Sequence, residues 1–140
     1  MSSAVVDDVA VIVHKSNPIT TLSLIQLRQI VLAQAQKWPG GGKILVWMTS
    51  PGRPERTRTL KVVCAMSETD LTLYFLHASF NGERADPPQT AGSGALVREA
   101  IAGAVNGVGF IWASDVDGSV KVVTIDGSRP GQAAYKIKAK

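Results

Sequence analysis

Val9-Ala10-Val11-Ile12-Val13 is an unbroken apolar run rich in β-branched residues. Such a run reads as a strand buried on both faces, as in the middle of a parallel or mixed sheet. The polar stretch His14-Lys15-Ser16-Asn17-Pro18 then supplies turn chemistry. Ser23, with Gln26 three residues on, is a capping-box signature, and Leu24, Leu27, Ile30 and Val31 follow at helical spacing. A helix is expected over Leu24–Ala33. Trp38-Pro39-Gly40-Gly41-Gly42 reads as a loop, and Lys43–Met48 as a second strand.

Thr49-Ser50-Pro51-Gly52-Arg53-Pro54 is a turn in which Pro54 can open the next helix, where its missing N–H costs nothing. That helix should run through Leu60, Val63 and Cys64. Ser67 and Asp70 open another, with Leu71, Tyr74, Phe75 and Ala78 on its apolar face, and a polar loop spans Phe80–Thr90. A helix carrying Leu96, Val97, Ala100, Ile101 and Val105 should end at Asn106-Gly107, a natural C-cap. Val108–Trp112 is a third strand. Asp117-Gly118 is a tight-turn signal, and Val120–Ile125 is a fourth strand expected to pair with the third as a hairpin. The tail beyond Gly127 is basic and weakly patterned. Strands that alternate with helices and then form a hairpin imply an α/β fold, a mixed sheet of about four to five strands flanked by helices.

The 140 residues suit one domain, 1–140, large enough for a core without disulfides. With 45% hydrophobic and 19% charged residues, a globular chain is expected rather than a disordered one. No apolar run approaches the roughly 18 residues of a membrane span. The net charge of +4 favours an anionic ligand but is too small to argue for nucleic acid. No aromatic ladder accompanies the basic residues, so stacking on single strands has little support. Cys64 is the sole cysteine and excludes an internal disulfide. Met1-Ser2-Ser3 shows neither a basic n-region nor a long h-region. The expectation is a cytosolic protein, or an exported one whose signal peptide lies outside this sequence.

Val11–Pro18, then Leu22-Ser23-Leu24-x-x-Leu27-Arg28-x-Ile30, then Trp38-Pro39-x-Gly41 resemble segments of the phosphate-binding proteins of ABC transporters. Pro54-Glu55-Arg56, Phe80-Asn81-Gly82, Gly107–Ile111 and Val120–Val123 continue the likeness in the same order, so that it spans residues 9–127 and leaves 128–140 as a tail. The resemblance implies one lobe of a type II periplasmic-binding fold, three-layered. It implies phosphate or a similar small oxyanion as ligand, a membrane transporter or sensor as partner, and a periplasmic or extracellular location. No cofactor or catalytic residue is implied.

Physics and resemblance meet at one turn. Thr49, Ser50, Gly52, Arg53, Arg56 and Thr57 surround a helix start, where free N–H groups favour an anion. Arg53 or Arg56 could add a bidentate contact to it. The plainer account is that Ser50 shapes the turn and the arginines are solvated. His14, just past a strand end, is a further candidate, or an ordinary polar residue closing that strand. His14, His77 and Cys64 make no metal set. There is no nucleophile elbow, and Gly40-Gly41-Gly42 lacks the Lys-Ser/Thr of a P-loop. Cys64 and the three tryptophans read as packing residues. An interaction or scaffold module without a ligand, acting as a homodimer, is the alternative function, because a lone lobe leaves a sheet edge and a cleft face uncovered.

Overall fold

A computed structural model of the chain describes residues 8–138. Its centre is a mixed five-stranded sheet in the order β4-β3-β5-β1-β6. The strands are β1 (Val9–Val13), β3 (Leu45–Thr49), β4 (Gln89–Ala91), β5 (Gly107–Trp112) and β6 (Lys121–Val122). Two further short strands, β2 (Thr21–Leu22) and β7 (Thr124–Ile125), pair in parallel as a separate ribbon. The helices are α1 (Leu24–Val31), α2 (Pro54–Thr59), α3 (Glu68–Phe80) and α4 (Gly94–Ala102).

β1 is buried along its whole length. Val9, Val11 and Val13 join the larger core, with Leu27, Leu60, Leu71 and Phe75 from the α1, α2 and α3 side. Ile12 points the other way, onto Val97 and Ile101 of α4. Alternate side chains meet cover on both faces, which is why the run shows no polar positions. The result is a three-layer α/β unit. α4 lies close to the sheet because β5 presents glycine to it. A Cβ on Gly109 would stand 2.8 Å from Val97 Cγ1 and 3.0 Å from Ile101 Cγ1.

Two helix starts are built as the spacing predicts. Ser23 Oγ accepts from Gln26 N at 3.0 Å while Gln26 Oε1 accepts from Ser23 N at 2.8 Å. Ser67 and Asp70 reciprocate in the same way at 3.1 and 3.0 Å. α2 runs on without a break into a π-helical turn, Leu60–Cys64, that ends at Ala65 in the left-handed region.

Other expectations are corrected. The third and fourth strands do not form a hairpin. A tight hairpin needs strand on both sides of its turn, and the 3-10 turn Ala113–Asp115 intervenes before Asp117-Gly118. Asp117 is instead held by Arg98 of α4, at 3.1 Å. The chain therefore passes beyond β5, and β6 pairs antiparallel with the free side of β1. The run expected as one strand divides at the buried Val123, whose N–H donates to Val11 O at 3.0 Å. α4 stops at Gly103 rather than at Asn106-Gly107, leaving Val105 exposed, and Gly107 opens β5. The expected polar loop Phe80–Thr90 ends in an edge strand instead, Gln89–Ala91, paired with β3. The tail is docked. Tyr135 and Ile137 are buried, and Val9 N donates to Ile137 O at 2.9 Å.

Candidate functional site

β3 ends at Thr49, which is fully buried. Ser50-Pro51-Gly52-Arg53 then reverses the chain, Arg53 N donating to Ser50 O at 3.2 Å. Gly52 has φ of 94°, the positive value that the third position of a type II turn requires, and Pro51 suits the second. Pro54 is the first residue of α2, and Arg53 its N-cap. Ser50 Oγ donates to Ala91 O at 3.3 Å, tying the turn to β4. Thr49, Ser50, Gly52, Arg53, Arg56 and Thr57 are thus gathered at one end of the sheet, with Thr57 exposed.

The two arginines differ. Arg56 is almost wholly buried and committed. Its Nε donates to Glu68 Oε1 at 2.5 Å, Nη2 to Glu68 Oε2 at 3.1 Å and Nη1 to Thr49 O at 3.2 Å. Arg53 keeps 41% of its side chain exposed. Its Nε donates to Glu55 Oε2 at 3.2 Å and its Nη1 reaches Gly92 O at 3.4 Å. Glu55 itself is fully buried, and its other oxygen, Oε1, has no partner. Thr49 Oγ1 is likewise buried and unpartnered. Each arginine at the turn is therefore matched by a carboxylate. Arg53 alone combines exposure with uncommitted guanidinium donors.

His14 does not join this cluster. β1 runs antiparallel to β5, and β5 parallel to β3, so Val13 and Val46 both lie opposite Val108. His14 therefore follows at the start of β3, whereas Thr49 closes its end, about 13 Å away along the strands at ~3.3 Å per residue. There His14 Nδ1 serves its own turn, accepting from Ser16 N at 3.1 Å and standing 2.8 Å from Ser16 Oγ. Two concavities of about 260 and 240 Å³ open around Lys43–Val46 and around Asn17 and Trp38, and no turn residue lines either.

Sequence reasoning missed Glu55 and Glu68. Glu55 had a local signal, an acid directly between Arg53-Pro54 and Arg56. Glu68, twelve positions from Arg56, had none. Cys64 is buried, as its place on an apolar helix face implied, and its thiol is pushed up to about 11 by burial. Trp38 is buried too, with its Nε1 donating to Asn106 O at 3.0 Å. Among the described residues no three His, Cys, Asp or Glu side chains are grouped to hold a metal. No helix among them is long and apolar enough to cross a membrane.

The sheet order, its two helical layers and the turn at the end of β3 define an α/β lobe of the periplasmic-binding type. Solved structures that superpose on it include proteins of phosphate transport. A phosphate ABC transporter substrate-binding protein from Clostridium perfringens, with bound phosphate, superposes with a TM-score of 0.71 and 27% identity. The match covers 88% of this chain and 46% of that one. An ABC-type phosphate transport receptor from Vibrio cholerae gives 0.74 at 20% identity, over 94% and 53%. PstS from Borrelia burgdorferi gives 0.75 at 13% identity, over 94% and 54%. The chain spans about half the length of these structures, consistent with a single lobe. Neither a family model nor a curated protein matches the sequence.

Proposed function

We propose that this chain is a non-catalytic, binding-protein-like lobe that takes a small oxyanion, phosphate first, at the turn Thr49–Thr57. The observation that carries the reading is the likeness, at 27% identity, to a receptor holding phosphate. It is joined by a half-exposed Arg53 at the strand end, where open α/β sheets place their ligands. In this reading Arg53 makes the charged contact, as a guanidinium suits the planar edge of an oxyanion. Ser50, Gly52 and Thr57 line the approach, and Thr49 and Arg56 hold the turn in shape. His14 lies outside the site. The same likeness motivates a periplasmic or extracellular setting and a membrane transporter or sensor as recipient of the ligand.

Thermal unfolding with phosphate, at fixed ionic strength against sulfate and chloride, tests the reading. Phosphate at 100 times its Kd should add about 2.7 kcal/mol of stability. Equal midpoints in all three salts would mean that the wild-type chain does not take phosphate at this turn.

The charge balance at the turn favours a second reading. Glu55 and Glu68 offset Arg53 and Arg56, as suits a lobe that serves as an interaction module and self-associates. Light scattering that gives a monomer across the accessible concentration range would count against the homodimer.

A further inference from the structure

We infer that the Glu55 carboxylate is a built-in competitor of the oxyanion for Arg53, the cation that the ligand's charge would meet. This rests on the proposed oxyanion site and names the residue that sets its affinity.

Four observations carry it. Glu55 is fully buried, a state in which carboxylates are found only when paired. Its one side-chain partner is Arg53, the exposed cation of the turn, through a single bond of 3.2 Å. The pairing is incomplete, because Glu55 Oε1 is buried with no hydrogen bond. A carboxylate kept purely for architecture would have both oxygens satisfied, as Glu68 does against Arg56. Finally, the fourth charged group of the cluster is already engaged: Arg56 is chelated by Glu68 and capped by Thr49 O, so it has no charge to lend.

Arg53 therefore faces two anions in competition. An oxyanion bound through the uncommitted donors shares the guanidinium charge with Glu55 and also bears the repulsion of a nearby like charge. Both effects lower affinity; in an amide of the same shape the repulsion vanishes and the hold on Arg53 weakens to that of a neutral acceptor. Glu55→Gln should bind phosphate at least tenfold more tightly than the wild-type chain, and adding Arg53→Ala should abolish the gain.

The experiment is titration calorimetry with inorganic phosphate at fixed ionic strength, on the full chain as wild type, Glu55→Gln and Glu55→Gln/Arg53→Ala, each checked for cooperative unfolding. Tighter binding by Glu55→Gln that the double variant loses supports the inference, including when the wild type binds too weakly to measure. Measurable wild-type binding that Glu55→Gln leaves unchanged or weakens overturns the inference while the oxyanion site stands. No binding by any folded variant overturns both. Should Glu55→Gln not fold, Glu55→Asp withdraws the carboxylate from Arg53 by one methylene and is read by the same outcomes.

Discussion

Arg56 and Glu68 are locked together by two parallel hydrogen bonds, 2.5 and 3.1 Å long, across the gap between α2 and the first turn of α3. The guanidinium has 6% of its side chain exposed and the carboxylate 33%. A third bond runs from Arg56 Nη1 to Thr49 O, so one buried cation ties the end of β3 to two helices. Breaking a buried pair costs about 3–5 kcal/mol, mostly from the charge left behind. Because Glu68 is partly solvated, Glu68→Gln should cost about 2 kcal/mol, read from urea unfolding. A loss below ~0.5 kcal/mol, the range of an ordinary surface substitution, would show that Arg56 is well solvated without its partner.

The C-terminal segment belongs to the core. Tyr135 is buried, and its hydroxyl donates to Val9 O at 2.5 Å. Removing that hydroxyl with Tyr135→Phe should cost about 1 kcal/mol. Tyr135→Ala should cost about 3 kcal/mol, the lower end for losing a large buried ring. Chemical denaturation of both variants separates bond from packing. Wild-type stability in Tyr135→Ala would mean that the tail is not held against β1.

Gly109 lets α4 approach β5. An added methyl would lie 2.8, 3.0 and 3.2 Å from side-chain atoms of Val97, Ile101 and Ile12, two of them on the helix. Gly109→Ala should destabilise by about 1–3 kcal/mol, the usual cost of overpacking. Gly118→Ala, with open space around its Cβ position, is the control. Equal melting temperatures for the two would contradict this packing.

Cys64 gives a pH signature. Burial raises its thiol from 9.0 to about 11, against a smaller opposing pull from Arg28. The folded form thus holds this proton more tightly than the unfolded form. Its contribution to stability is complete below about pH 9 and is lost as pH rises through about 11. Tyr135, also raised by burial, adds to the decline at the alkaline end. Stability of the wild type should fall more steeply over this span than that of Cys64→Ala, measured by urea unfolding at each pH. Parallel curves would contradict the assignment. Iodoacetamide at pH 8 should label the thiol only after denaturant is added.

Local chemistry was legible where a signal was local. Ser23 with Gln26, Ser67 with Asp70, and Pro51-Gly52 each announce a cap or turn within four residues, and each is built so. The strand Val9–Val13 declared its two-sided burial through composition. Strand order was not legible. Whether Val120–Ile125 pairs with β5 or with β1 depends on the path of 113–119, which a turn dipeptide does not specify. The position of His14 has the same origin, because only the antiparallel direction of β1 puts it at the far end from Thr49. At the turn, the basic residues stood out in the sequence. Their neutralisation was visible only in part: Glu55 lies between them in the sequence, whereas Glu68 reaches Arg56 only through the docking of α3.

The central claim is that oxyanion binding belongs to the turn after β3. An amide-resolved NMR titration of the wild-type chain with phosphate, at constant ionic strength and with sulfate as control, tests it most directly. Shifts should be phosphate-selective and confined to residues 50–57 and to Ala91 and Gly92, with His14 and Ser16 unmoved. Arg53→Ala should erase them. Shifts centred on His14 and Ser16, or none beyond those produced by sulfate, would contradict the account.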